Sequence, residues 1–124
     1  MNTTLGWINI ALITVMGLIY PLRMTYLKKK DKRLLAIYQK MRIIHPLTGG
    51  MIIVLGLIHG YMSLRTIRLH TGLLIVIVLM IMAAIALLGP RTKMLKRSWR
   101  VVHRYMGLVL WSSILLHLFF RSII

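Results

Sequence analysis

Cysteine is absent from this 124-residue chain, and the acidic side chains are reduced to one, Asp31. Without cysteine there can be no disulfide, no thiolate-held iron–sulfur cluster and no thioether-linked prosthetic group. A lone carboxylate leaves no material for a paired-acid hydrolase, for a proton relay of acids or for a cation site of hard oxygen ligands. No Gly-x-Gly-x-x-Gly loop is present, so the dinucleotide fingerprint is missing as well.

Apolar residues and basic charge are plentiful. Hydrophobic residues make up 59% of the chain, and the mean hydropathy of +0.82 is outside the range of an ordinary soluble domain. Four runs are long enough to cross a hydrocarbon core about 30 Å thick: 5–22, 43–64, 69–88 and 101–120. The first has no basic stretch before it and no small-residue cleavage site after it, so it is expected to remain as a helix. Leu34–Ile44 has apolar residues at helical spacing among Lys40 and Arg42, and a short surface helix is expected there. The expected fold is all-α, a four-helix transmembrane bundle forming a single domain, 1–124.

The net charge of +16 raises the possibility of nucleic-acid binding. The placement of the charge opposes it, because the basic residues fall between the apolar runs. Eight lie from Arg23 to Arg42 and six from Arg91 to Arg104, whereas only Arg65, Arg68 and Arg121 fall on the other side. By the positive-inside rule both basic connections face the cytoplasm and both termini lie outside. A multi-pass protein of the cell membrane is expected, with lipid as a partner and no nucleic acid.

Two of the apolar runs share a histidine pattern. Arg42-Ile43-Ile44-His45 is followed by Gly49 and then by His59; Arg100-Val101-Val102-His103 is followed by Gly107 and then by His117. In each run the histidines are fourteen residues apart, which raises a helix about 21 Å and returns it to nearly the same face. Alternate spans run in parallel, so His45 and His103 share the cytoplasmic level, and His59 and His117 the outer level. A single membrane histidine bonded across helices contributes only roughly 0.6 kcal/mol and needs no further role. Packing alone does not produce two such pairs in matching register. The pattern predicts four axial ligands for two stacked haems, His45 and His103 on the inner iron and His59 and His117 on the outer. Without cysteine both haems are b-type.

Several neighbours fit that expectation. Gly49 and Gly107 follow the inner ligands by one turn, where a missing side chain leaves a slot for a porphyrin; Gly56 and Ser113 precede the outer ligands similarly. Small residues also serve close helix packing, and both readings stand. Arg42, Arg100 and Arg104 are placed to pair with haem propionates, although snorkelling to the interface explains the same side chains. Arg65, Arg68 and Arg121 are weaker candidates. His70 has no counterpart in the repeat and reads as an interfacial polar residue. Trp111 is about 80° from the ligand face at 100° per residue and reads as packing, Trp7 and Trp99 as interfacial aromatics. The ten methionines read as gap-fillers. Pro46 directly follows His45 and pushes it away from helical geometry, so a kink or a helix start is expected at that ligand.

From His70 to Phe120 the chain resembles the ferric reductase-like transmembrane domain. The carrying residues are Trp99-Arg100-Val101-Val102-His103-Arg104-Tyr105-Met106-Gly107, with His117 beyond, and the preceding span opened by Thr71-Gly72 and closed by Gly89-Pro90-Arg91-Thr92-Lys93. Pro21-Leu22-Arg23 and the second histidine pair extend the likeness loosely over most of the chain. The resemblance implies two b-haems on His45, His59, His103 and His117, carrying electrons across the membrane. Typical members have more spans than four, and oxidase and reductase members add a cytoplasmic flavin and nicotinamide domain for which no residues are found here.

The expectation is thus a minimal dihaem cytochrome that conducts electrons, with bis-histidine iron leaving no open coordination position. Its donor would be a separate flavoprotein, ferredoxin or quinol, and its acceptor would lie on the outer face. Other classes remain: a haem-bearing anchor subunit of a larger redox complex, and a small non-haem transporter, including one that uses its histidines to carry zinc or copper. The second resembles small multidrug transporters in size but lacks the membrane glutamate on which they depend.

Overall fold

A computed structural model of the chain describes residues 2–64 and 70–120. They form five helices, α1 (Asn2–Gly17), α2 (Ile19–Lys29), α3 (Lys32–Leu64), α4 (Thr71–Leu88) and α5 (Trp99–Phe119), with no strand among the described residues. Four stretches are long and apolar enough to cross a membrane, namely Thr3–Lys29, Lys32–Ser63, Thr71–Leu88 and Trp99–Phe119. The protein is all-α, and by the length and composition of its helices a multi-pass membrane protein. The chain divides into two compact units, Met1–Leu55 and Gly56–Ile124.

In the first unit, α1 and α2 are one apolar stretch interrupted at Leu18. The cause lies three residues on. Pro21 has no N–H to return to the carbonyl of Gly17, and its ring crowds that carbonyl. The chain crosses the gap with Leu18 N–H bonded to Thr14 O and Val15 O, both at 3.2 Å, and Leu22 N–H to Leu18 O at 3.0 Å. Asn9, Ile13 and Met16 line one face of α1 at helical spacing and are buried, as is Ile52 of α3. The Asn9 amide donates to Ile52 O at 3.5 Å.

The reversal between α2 and α3 occupies two residues. Lys30 takes a left-handed conformation (φ 52°, ψ 30°) and returns its N–H to Tyr26 O. Asp31 then caps α3: its Oδ1 accepts Arg33 N–H at 2.8 Å and its carbonyl accepts Leu35 N–H at 3.1 Å. The only carboxylate in the chain is therefore a helix N-cap, where a negative charge also opposes the positive end of the dipole.

At 33 residues, α3 is about 50 Å long, well beyond a hydrocarbon core. The separate surface helix expected over Leu34–Ile44 is instead its first part. Leu34 to Met41 holds good helix formers and no breaker, so nothing ends the helix before the apolar run begins. Nor does a helix start at His45: Pro46 lies inside α3. Its missing donor costs one bond, to the carbonyl of Arg42, an exposed residue at the charged end of the apolar run.

In the second unit, α4 and α5 pack against each other as an antiparallel pair. Gly89 closes α4 and is buried against the start of α5; a Cβ there would collide with Trp99 Cβ and with Ile85 O. From that anchor the two helices keep a common register. Thr71 lies eighteen residues before Gly89, His117 eighteen residues after Trp99, and Thr71 and His117 are in contact. Thr71, Val76 and Val78 of α4 and Leu110, Ser113 and Ile114 of α5 form the buried core of the pair. Elsewhere the helices carry large exposed apolar side chains, Ile43, Leu47 and Phe119 among them, as lipid-facing surfaces require.

Candidate functional site

The two histidines of α5 lie on its packed face, in line with Leu110 midway between them, at intervals of seven residues. The expected return to one face after fourteen residues is what the structure shows, since both rings turn Nδ1 toward α4. His103 Nδ1 lies 3.1 Å from Met82 O. A carbonyl oxygen can only accept, so Nδ1 carries the hydrogen, and the lone pair of the neutral ring is on Nε2. His117 Nδ1 lies 2.7 Å from Thr71 Oγ1, and Thr71 is only 4% exposed. A backbone carbonyl behind one ring nitrogen, as at His103, is a usual support of a metal-binding imidazole.

His70 belongs to this region too, although it stands outside the repeat. It is the N-cap residue of α4, in extended conformation (φ −151°, ψ 164°). Its ring lies beside that of His117 at Gly72: a Cβ on Gly72 would come 2.9 Å from His70 Nε2, 3.0 Å from His70 Cδ2 and 3.4 Å from His117 Cε1. Gly72 is thus a packing glycine that lets two imidazoles sit on the first turn of α4.

On α3, His45 and His59 are both half-buried, His45 in the first unit and His59 in the second. The Nδ1 of His59 is buried without a hydrogen-bond partner. Leaving such an atom unsatisfied costs about 1–3 kcal/mol. No group of three or more histidine and acidic side chains close enough to hold a bare metal ion occurs among the described residues; an iron porphyrin needs only two from the protein.

The glycines separate into two kinds. A Cβ on Gly49 or Gly107 would meet nothing within 4 Å, in contrast to Gly72 and Gly89. Within its own unit neither Gly49 nor Gly107 is a close-packed position among the described residues. Gly50 and Gly60 are equally open, so open space along α3 is not confined to Gly49, one turn after His45. Ser113 is buried, with its hydroxyl bonded to Val109 O at 2.8 Å, and makes a packed contact rather than a gap. Gly56 is half-buried.

Arg42, Arg100 and Arg104 are all exposed. The Arg100 guanidinium lies over the Trp99 ring, 5.3 Å from its centroid, a cation–π contact that holds it at the start of α5. Trp99 itself is half-buried against Gly89 rather than lying wholly at a surface. Arg65, Arg68 and Arg121 lie outside the described residues.

Thr71, the Met82 carbonyl and the neighbourhood of His70 are absent from the histidine pattern. The sequence signal for Thr71 is the hairpin register: equal counts back from Gly89 and forward from Trp99 lead to Thr71 and His117. No family model, no curated protein and no solved structure matches this chain.

Proposed function

We propose that the chain is a small transmembrane electron carrier, a ferric reductase-like dihaem b-type cytochrome in which His45, His59, His103 and His117 are the axial ligands. The observation that carries this reading is the support of the two α5 rings. Met82 O accepts the Nδ1 hydrogen of His103, and Thr71 Oγ1 is in hydrogen-bond contact with Nδ1 of His117, fourteen residues on along the same helix face; at His103 this leaves the lone pair on Nε2. The repeat gives His45 and His103 to one haem and His59 and His117 to the other. Each haem iron would store and release one electron, alternating between ferric and ferrous.

The residues fit such a group in three respects. Neutral imidazoles are the ligands the repeat supplies, and a thiolate ligand is excluded because the chain has no cysteine. Gly107 has open space one turn from His103. His59 keeps a buried, unpartnered Nδ1, which is a cost a ring bears when it has another task. Arg42, Arg100 and Arg104, all on the basic side of the spans, are the candidates to pair with propionates.

The charge distribution supports an orientation with both termini outside and the basic connections in the cytoplasm of a cell membrane. Lys28, Lys29, Lys30 and Lys32 are exposed at the α2–α3 reversal. They would attract an acidic donor protein, with association that weakens as salt rises.

Single-ligand variants test the assignment. His59→Ala is expected to lower haem content from two to one per chain, and His103→Ala likewise, each leaving the other centre's spectrum intact. Full haem content in both variants would contradict the ligand set.

A further inference from the structure

The two α5 histidines are supported by different chemistry. His103 rests on a main-chain carbonyl, which no side-chain change at position 82 removes. His117 rests on the hydroxyl of Thr71, so one side chain governs that ring. Thr71 is the first residue of α4 and is nearly fully buried. The open backbone of that turn is closed without it: Leu73 N–H and Leu74 N–H bond to His70 O at 2.9 and 3.3 Å, and the N-cap makes no side-chain bond. Its Oγ1 is instead 2.7 Å from His117 Nδ1, at the short end for a neutral pair. Gly72 completes the seat by letting His117 Cε1 approach the same turn.

We propose that Thr71 is the positioning residue of His117: its hydroxyl oxygen accepts the Nδ1 hydrogen and so favours the tautomer with the lone pair on Nε2. The inference rests on the dihaem reading for what Nε2 binds, but not for the tautomer itself. A hydroxyl differs from a carbonyl in that it can also donate. The tautomer at His117 therefore depends on which way the Thr71 hydroxyl is turned, whereas that at His103 is fixed by the backbone. With a haem bound, an acceptor behind Nδ1 makes the ligand more basic and favours the oxidised iron. Losing it raises the potential of one centre only.

The experiment uses the full chain in lipid nanodiscs with ¹⁵N-labelled histidine, as wild type, Thr71→Val and Thr71→Ser. In haem-free protein, nitrogen shifts are expected to show His117 with its hydrogen on Nδ1 in wild type and Thr71→Ser, and a loss of that preference in Thr71→Val. His103 is expected to stay on Nδ1 in all three. In haem-loaded protein, Thr71→Val is expected to raise one of two midpoint potentials, with Thr71→Ser restoring it. Wild-type His117 with its hydrogen on Nε2, or a tautomer unchanged in Thr71→Val, overturns the proposal; so does an equal shift of both potentials. Should Thr71→Val not fold, the wild-type tautomer and Thr71→Ser still decide. If wild type takes up no haem, the dihaem reading fails alone and the tautomer arm still judges Thr71.

Discussion

Met82 offers His103 an oxygen without a hydrogen of its own, so the hydrogen in that 3.1 Å contact belongs to the ring. This small asymmetry is the kind of detail a sequence pattern does not contain. The histidine spacing identifies which rings share a face, because helical geometry fixes that; it does not identify the oxygen behind each ring, because that oxygen is on another helix. Glycine is a similar case. Gly49, Gly72, Gly89 and Gly107 look alike in the sequence, yet two are packed and two face open space. Gly107→Leu tests the open kind. A Cβ there has nothing within 4 Å, so the variant is expected to insert and fold as wild type does, which its yield and thermal melt check. In a porphyrin slot the added isobutyl group is expected to cost one haem per chain. Unchanged haem content would leave Gly107 with no part in the site.

At the scale of helices, local rules and apolar length compete. Four spans were readable because each apolar run exceeds what a soluble helix needs. The break at Leu18 follows from Pro21, which the apolar run conceals, since proline removes a bond without changing hydropathy much. At Pro46 the outcome is opposite and α3 runs on. The one carbonyl freed there, that of Arg42, belongs to an exposed residue at the charged end of the run, so only a single bond is lost. The α4–α5 pair depends on Gly89, where a methyl group would meet Trp99 Cβ and a carbonyl. Gly89→Ala is expected to destabilise the pair by about 1–3 kcal/mol, the usual cost of overpacking. Denaturant unfolding in mixed micelles reads this, and an unchanged midpoint would mean that the turn yields freely. Because the register of His117 on Thr71 runs from that anchor, the same variant should also weaken the seat of His117.

For the whole molecule, charge was the most legible property and helix arrangement the least. Fourteen of the 17 basic residues fall in two stretches, Arg23 to Arg42 and Arg91 to Arg104, a bias plain in the sequence itself, whereas the compact units and their cores arise from contacts between distant segments. Orientation is testable through an absence: with no cysteine in the chain, single introduced cysteines are the only thiols. Thr3→Cys is expected to react with a membrane-impermeant maleimide on intact cells, while Lys30→Cys and Lys93→Cys react only after the membrane is opened. The reverse pattern would invert the topology and, with it, the side on which a donor docks.

The central claim is that four histidines hold two b-type haems, and the most direct measurement is a reduced-minus-oxidised visible spectrum of the purified chain with haem quantified per polypeptide. The account predicts a low-spin, bis-histidine b-type spectrum at two haems per chain. A colourless protein, purified from cells supplied with ample haem, would contradict it.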